Sequence, residues 1–297
     1  MSFYTPLRYP GGKRKLLDFF KALIDINDLR NCTYVEPYAG GAGLALSLLF
    51  EGYVKCLRLN DIDRAIYAFW RSVLSDTDSL CRKIMDTPIN MEEWHKQKEI
   101  QGHPDDVSLV ELGFSTFFLN RTNRSGILTG GVIGGKAQSG EWTMDARFSK
   151  QELIRRIQTI ADQREKILFF NKDAEDYLRQ YRLSPTKGAV LFFCDPPYYQ
   201  KAFDLYGCFY KKEDHAHVAT CITSLPGYWI VSYDNHDVIQ ELYKGYPAVT
   251  YGLSYTVQDK KKGTEFMAFS HSLKLPPFTL SKKGRYFSLL YDLKRVA

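Results

Sequence analysis

Apolar residues gather in five short stretches along the chain: TYVEPYA at 33–39, VKCLRLND at 54–61, KILFFN at 166–171, AVLFFCD at 189–195 and GYWIVSYD at 227–234. Each is of strand length and is bounded by turn or acidic residues. Strands of this kind are buried on both faces. Between them, GAGLALSLLFEG and DHAHVATCITSL repeat apolar residues at the three- and four-residue spacing of a helix. Strands alternating with helices predict a doubly wound α/β sheet of parallel strands, with ligands bound beyond the strands' carboxyl ends.

The rhythm changes between 67 and 163. AIYAFWRSVL, SLCRKIMD, MEEWHKQKEIQ and VELGFSTFFLNRT read as helices, and the Gly-rich SGILTGGVIGGKAQSGEW follows them. This predicts a mainly helical insertion at 67–163 that divides a sheet domain into 1–66 and 164–297. Near the end, AVTYGLSYTVQDKKKGTEFMAFS predicts an antiparallel edge hairpin around a basic turn.

Composition narrows the function. A chain of 297 residues with 44% hydrophobic content can bury a full core, and its net charge of +6 suits a polyanionic partner better than an acidic one. The six cysteines lie far apart with no C-x-x-C pair, which argues for reduced thiols and against a zinc knuckle. No apolar run approaches the roughly 20 residues that span a bilayer, and the first residues lack the apolar stretch of a signal peptide. A cytoplasmic protein is expected.

Four stretches carry the candidate chemistry. VEPYAGGAG ends a strand at Glu36-Pro37-Tyr38 and places glycines before a helix, where a ligand can approach the backbone closely. LRLNDID ends the next strand with Asp61, placed to accept hydrogen bonds from a ribose, and Asp63, suited to cap the following helix. RYPGGKRK lacks the spacing of a phosphate loop and reads as a turn before a helix with a solvated basic face. In VLFFCDPPYY a buried strand runs into an acid, two prolines and two rings. Prolines there form a stiff, donor-poor shelf. The shelf gathers the Asp195 carboxylate, the Pro196 carbonyl and the Tyr198 ring, which suits a planar base with an exocyclic amino group. His215 and His217 invite a metal reading, but residues two apart on a helix face different ways. Asp214 before them reads as an N-cap, and no metal is expected.

Taken together, RYPGGK, VEPYAGGAG, LNDID, FFLNRTNRSG, DPPYY and LYGCFYKKEDHAHVA resemble, in order and spacing, the Dam-type family of DNA adenine N6-methyltransferases. The resemblance covers most of the chain. It implies a Rossmann-like methyltransferase sheet that uses S-adenosyl-L-methionine, with an inserted target-recognition domain at 67–163, and double-stranded DNA as the partner. Asp195, Pro196 and Tyr198 would then be catalytic, acting on a flipped-out adenine. Tyr9, Lys13, Tyr38, Gly40, Asp61 and Asp195 would line the cofactor, with Asp173 as a further acid after the third strand. Ala42 stands where many relatives have Gly. The insertion diverges from the shorter, more basic hairpin of the best-known relatives, and Arg121, Asn123, Arg124, Lys136 and Arg147 are its candidates for DNA contact. A monomer is expected, paired in function with a restriction enzyme or acting in a phage or solitary setting. Methylation of cytosine N4 or of RNA adenine, and a non-catalytic DNA-binding module, are the alternatives; Asp195, where the cytosine enzymes more often have Ser, favours adenine.

Overall fold

The computed structural model describes residues 4–9, 11–183, 187–199, 210–253, 263–276, 279–281, 286–288 and 290–291. The chain divides into two compact units, Met1–Leu17, Ala39–Glu51 and Cys56–Asp173 in the first, and Asp18–Tyr38, Gly52–Lys55 and Ala174–Ala297 in the second.

In the second unit, β1 (Cys32–Glu36) and β4 (Val190–Cys194) are buried at every residue, as continuous apolar stretches require. They run parallel, with Thr33 opposite Val190 and Val35 opposite Phe192. β5 (Tyr228–Asp234) continues parallel on the other side of β4. Phe192 and Phe193 point to opposite faces. Phe193 meets Phe20 of α1 (Leu17–Ile26) edge-on at 4.9 Å. Phe192 meets Tyr181 of α8 (Ala174–Leu183), also at 4.9 Å. One helix therefore covers each face, as a doubly wound sheet demands. β1 stops at Glu36, short of the expected residue 39, because Pro37 has no N–H to continue the ladder.

The expected edge hairpin is present. β7 (Gly263–Phe269) pairs antiparallel with β5 and with β6 (Ala248–Leu253), and β8 (Leu290–Tyr291) pairs antiparallel with β6. Its basic turn lies outside the described residues. Helix α9 (Lys212–Thr223) corrects one expectation: its N-cap is Lys211, and Asp214 sits in the first turn, its carboxylate accepting the Lys211 N–H at 2.7 Å. A short helix, α10 (Asp237–Leu242), follows β5.

In the first unit β2 (Val54–Asn60), which begins in the second, runs parallel to β3 (Ile167–Phe170). α2 (Gly43–Phe50) follows the glycine turn. The expected helical segments form α3 (Arg64–Ser75), α4 (Thr77–Asp86), α5 (Met91–Gly102) and α6 (Leu109–Thr122), and α7 (Lys150–Ala161) leads back to β3. Asp63 caps α3 as read, accepting from Ala65 and Ile66, and Ser108 with Glu111 forms a capping box on α6. α6 is buried almost all round. It approaches α3 so closely that a Cβ on Gly113 would lie 2.6 Å from the Ala68 carbonyl. The Gly-rich stretch after α6 holds two short 3-10 turns, Arg124–Gly126 and Met144–Arg147, and a single antiparallel bridge from Asn123 to Val132. The described cysteines Cys32, Cys56, Cys81, Cys194 and Cys221 are free thiols, and among the described residues no helix is long and apolar enough to cross a membrane.

Candidate active site

The cofactor-side candidates of the first unit converge on the turn between β1 and α2. Gly40 (φ 46°) and Ala42 (φ 48°) both adopt left-handed backbone. The Tyr9 ring roofs the turn: a Cβ on Gly40 would lie 2.6 Å from the ring, and one on Gly41 would lie 2.9 Å from the Tyr9 Cβ. Only glycine fits beneath the ring, whereas Ala42 tolerates the strained conformation as the cap of α2. One Asp61 oxygen accepts the Gly40 N–H at 2.8 Å, and the other accepts the Asp63 N–H at 3.0 Å. The Trp70 indole N–H donates to the Gly40 carbonyl at 2.9 Å. Burial raises the Asp61 carboxyl to about 7, against the opposing pull of those two N–H bonds. Lys13 is buried, its ammonium 3.4 Å from the Gly11 carbonyl, so it does not belong to the solvated basic face expected of this segment. Tyr9, Lys13, Gly40 and Asp61 thus all belong to this unit. Asp173 is exposed, directly before α8.

The catalytic candidates lie in the second unit, where β4 ends. Pro196 is buried, while Asp195, Pro197, Tyr198 and Tyr199 are half-buried. The Tyr199 N–H donates to Asp234 at 2.8 Å, and its ring packs over His236 at 4.5 Å. Asp234 ends β5 much as Asp195 follows β4, so one strand end fastens the shelf leaving the other. Aromatic groups surround this point. Tyr38 and Tyr210 share a hydrogen bond of 3.3 Å, and His215 Nδ1 lies 3.3 Å from the Tyr233 hydroxyl. Burial, then neighbouring Tyr210 and Tyr233, hold the Tyr38 phenol neutral well beyond its ordinary range. Burial also lowers the His215 imidazole, keeping it neutral. His217, two residues on, is exposed, and among the described residues no three His, Cys, Asp or Glu are placed to hold a metal.

The DNA-contact candidates separate. Arg124 and Lys136 are exposed, and so is Trp142 in the same stretch, at 61%. Asn123 is a correction. It is fully buried, its side chain accepting from the Trp94 indole at 2.7 Å and donating to the Ile127 and Leu128 carbonyls at 2.9 Å. It holds the turn and has no amide group left to offer a base edge. Arg121 donates to the Arg147 and Pro6 carbonyls. Burial, then Arg8, Arg156 and Arg147, lower its guanidinium to about 9, still charged at neutral pH. Four arginines in electrostatic reach of one another form a positive focus suited to phosphate.

Asp234 and Asn120 were not singled out from the sequence, and His215 was weighed there only as a metal ligand. Asp234 was findable, because it repeats the pattern of an acid closing a parallel strand already seen at Asp61 and Asp195. Asn120 had no such signal; its amide is buried and works through Arg8, far away in the chain, and through the Gly126 turn.

The chain matches the model of the D12 class N6 adenine-specific DNA methyltransferase family over residues 9–257. It is 23% identical over 256 residues to the type II methyltransferase M.CviBI of Paramecium bursaria Chlorella virus NC1A, covering 84% of this chain and 90% of that protein. Among solved structures it is similar to the putative methyltransferase yhhF from Escherichia coli, with a TM-score of 0.37, 12% identity and 90% of each chain covered. The glycine turn with its acid, the Asp-Pro-Pro-Tyr shelf at the end of a buried parallel strand and the match across most of the chain agree: this chain belongs to the D12 class of N6 adenine-specific DNA methyltransferases.

Proposed function

We propose that the chain methylates adenine N6 in double-stranded DNA with S-adenosyl-L-methionine as donor, acting on a base turned out of the duplex into the shelf at the end of β4. The observation that carries this reading is the Asp195-Pro196-Pro197-Tyr198 segment, which leaves a fully buried strand and is tied to Asp234 through Tyr199. The amino nitrogen of adenine is a poor nucleophile because its lone pair is delocalised into the ring. The Asp195 carboxylate and Pro196 carbonyl accept its two hydrogens and favour a pyramidal nitrogen, while the Tyr198 ring stacks on the base. Stacking and hydrogen bonds offset the few kcal/mol that extrusion costs. In-line positioning supplies most of the rate.

The first unit fits the donor. The glycine turn lets a ligand approach the backbone closely beside the Tyr9 ring, which itself packs directly on Gly40 and Gly41, and Asp61 is placed to accept from the ligand's ribose. When bound, S-adenosyl-L-methionine supplies a methyl on a sulfonium, already electrophilic. Tyr9, Gly40 and Asp61 orient it, Lys13 offsets its carboxylate, and Tyr38 is a further candidate contact to it. Residues 67–163 form the target-recognition part, with Arg121, Arg124 and Lys136 toward DNA. The type II relative supports a setting beside a restriction endonuclease, and the enzyme acts in the cytoplasm as a monomer.

The test is expression in a host without DNA methylation, followed by nucleoside mass spectrometry and single-molecule sequencing. N6-methyladenine at one short motif is expected. N4-methylcytosine, modified RNA alone, or unmodified DNA from a folded protein would overturn the reading.

A further inference from the structure

The short segment just before Tyr9 is bound to the helical part of the first unit with unusual completeness. Asn120, on the last turn of α6, is 1% exposed. Its carbonyl oxygen accepts the Arg8 N–H at 2.7 Å, and its amide nitrogen donates to the Arg8 carbonyl and to the Gly126 carbonyl, both at 2.8 Å. The side chain thus treats Arg8 as a neighbouring strand would, and at the same time grips the turn that follows α6. Gly126, at φ 78°, has no room for a side chain: a Cβ there would lie 2.2 Å from the Arg8 carbonyl oxygen. The Arg8 guanidinium donates to the Asn123 carbonyl at 3.2 Å. Two further straps hold the same segment, from Arg121 to the Pro6 carbonyl and from Arg156 to the Thr5 carbonyl at 3.3 Å.

Both ends of this junction face business. Tyr9, the next residue after Arg8, roofs Gly40, whose N–H is held by Asp61 and whose carbonyl is held by Trp70 of α3. On the other side, the gripped turn carries exposed Arg124 and continues into the Gly-rich stretch with Lys136. Moving the turn at Gly126 moves the Arg8 backbone, because Asn120 bonds both and no space for even a methyl group separates Gly126 from the Arg8 carbonyl, and moving Arg8 moves the ring over Gly40. A partner that fixes either end restricts the other, which is the physical content of a coupling between two binding events.

We propose that Asn120 is a positioning residue that couples cofactor binding beside Tyr9 to DNA engagement by the turn after α6. Asn120 itself touches neither ligand. The inference rests on the functional reading above, and the two fail separately.

The probe is S-adenosylhomocysteine, titrated by calorimetry into the full chain alone and into the chain saturated with a duplex bearing the motif found by sequencing. For the unaltered protein the affinity is expected to rise about tenfold with duplex present, within the usual range of such couplings. Asn120→Asp keeps the acceptor for the Arg8 N–H but loses both donations, and is expected to bring the ratio to about one. Arg156→Met removes the Thr5 strap together with the ion pair to Glu152 and lowers the ratio partway, whereas Glu152→Gln, which removes the ion pair and leaves the strap, does not, so the inference is tested even where Asn120→Asp does not fold. Thr122→Val, whose hydroxyl donates only within its own helix to the Phe118 carbonyl, leaves the ratio intact. A chain that methylates DNA but shows a ratio of one, or variants at Asn120 and Arg156 that keep the full ratio, overturns the coupling. A chain that binds neither the probe nor duplex overturns the function instead.

Discussion

At the scale of single residues, the site turns on carboxylates at the ends of parallel strands. Asp61 is the one whose protonation is measurable near neutrality. Its rise from the ordinary 3.8 to about 7 corresponds to roughly 4 kcal/mol in favour of the neutral form. Between those values the folded chain holds a proton that the unfolded chain has released, so this group's contribution makes stability fall as pH rises from about 4 to about 7 and stay level above. Asp61→Asn is expected to remove that slope in denaturant unfolding series, and a wild-type slope that survives the substitution counts against the assignment. Only the carboxylate can accept from two ribose hydroxyls at once. Donor affinity is therefore expected to strengthen through pH 7 in the parent chain, and Asp61→Ala and Lys13→Ala to weaken it with little effect on DNA binding. At the shelf, Asp195→Ala and Tyr198→Ala are expected to abolish methylation of a folded protein, with loss of stacking alone costing about 1 to 3 kcal/mol. Turnover near that of the parent in either variant sinks the catalytic assignment. Asn123→Ala should act differently, destabilising the fold by about 1 to 3 kcal/mol because it leaves the buried Trp94 indole N–H without its acceptor and takes one donor from each of the Ile127 and Leu128 carbonyls. The strand-closing acids were legible because position and chemistry coincide in the sequence. The two asparagines were not, since an amide reads alike whether it faces a base edge or a buried carbonyl.

At the scale of elements, β1, β4 and β5 were legible because each buries both faces and so leaves a nearly continuous apolar stretch, β2 and β3 because their apolar residues still cluster although Lys55 and Leu168 are exposed, and the hairpin because a basic, glycine-containing turn separates two such stretches. What escaped was contact between elements. α6 is buried nearly all round and mixes apolar with small polar residues on every side, so its periodicity marks no preferred face, and nothing local announces that Gly113 sits against Ala68 and Ser72 of α3. Gly113→Ala is expected to destabilise the chain by about 1 to 3 kcal/mol through overpacking, although alanine is the better helix former in isolation. Denaturant midpoints compared with Gly102→Ala, which has open space around it, separate the two effects. A stabilised Gly113→Ala would mean that the two helices do not cross so tightly.

For the whole molecule, a net charge of +6 is small, and its arrangement matters more than its sum. The exposed Arg124 and Lys136 are expected to contribute to DNA affinity in a salt-dependent way, each phosphate contact adding about 0.9 to the slope of log affinity against log salt. If Arg124 reads a base instead, Arg124→Ala should cost about 1 to 3 kcal/mol on the cognate site and relax one position of the motif. Methylation rates on singly substituted duplexes at two salt concentrations distinguish the cases, and unchanged preference and slope for both residues place the recognition surface elsewhere. The adjacency of β1 and β4 has a consequence for how the enzyme is made. Thr33 pairs with Val190, so about 150 residues must be synthesised before β1 gains that neighbour. At roughly 5 to 20 residues per second, its edge stands open on the ribosome for roughly 8 to 30 seconds. A strand destined for burial on both faces, with one edge still open, is a template for the wrong partner, so cooler growth or a chaperone that shields nascent chains is expected to raise the yield of active enzyme.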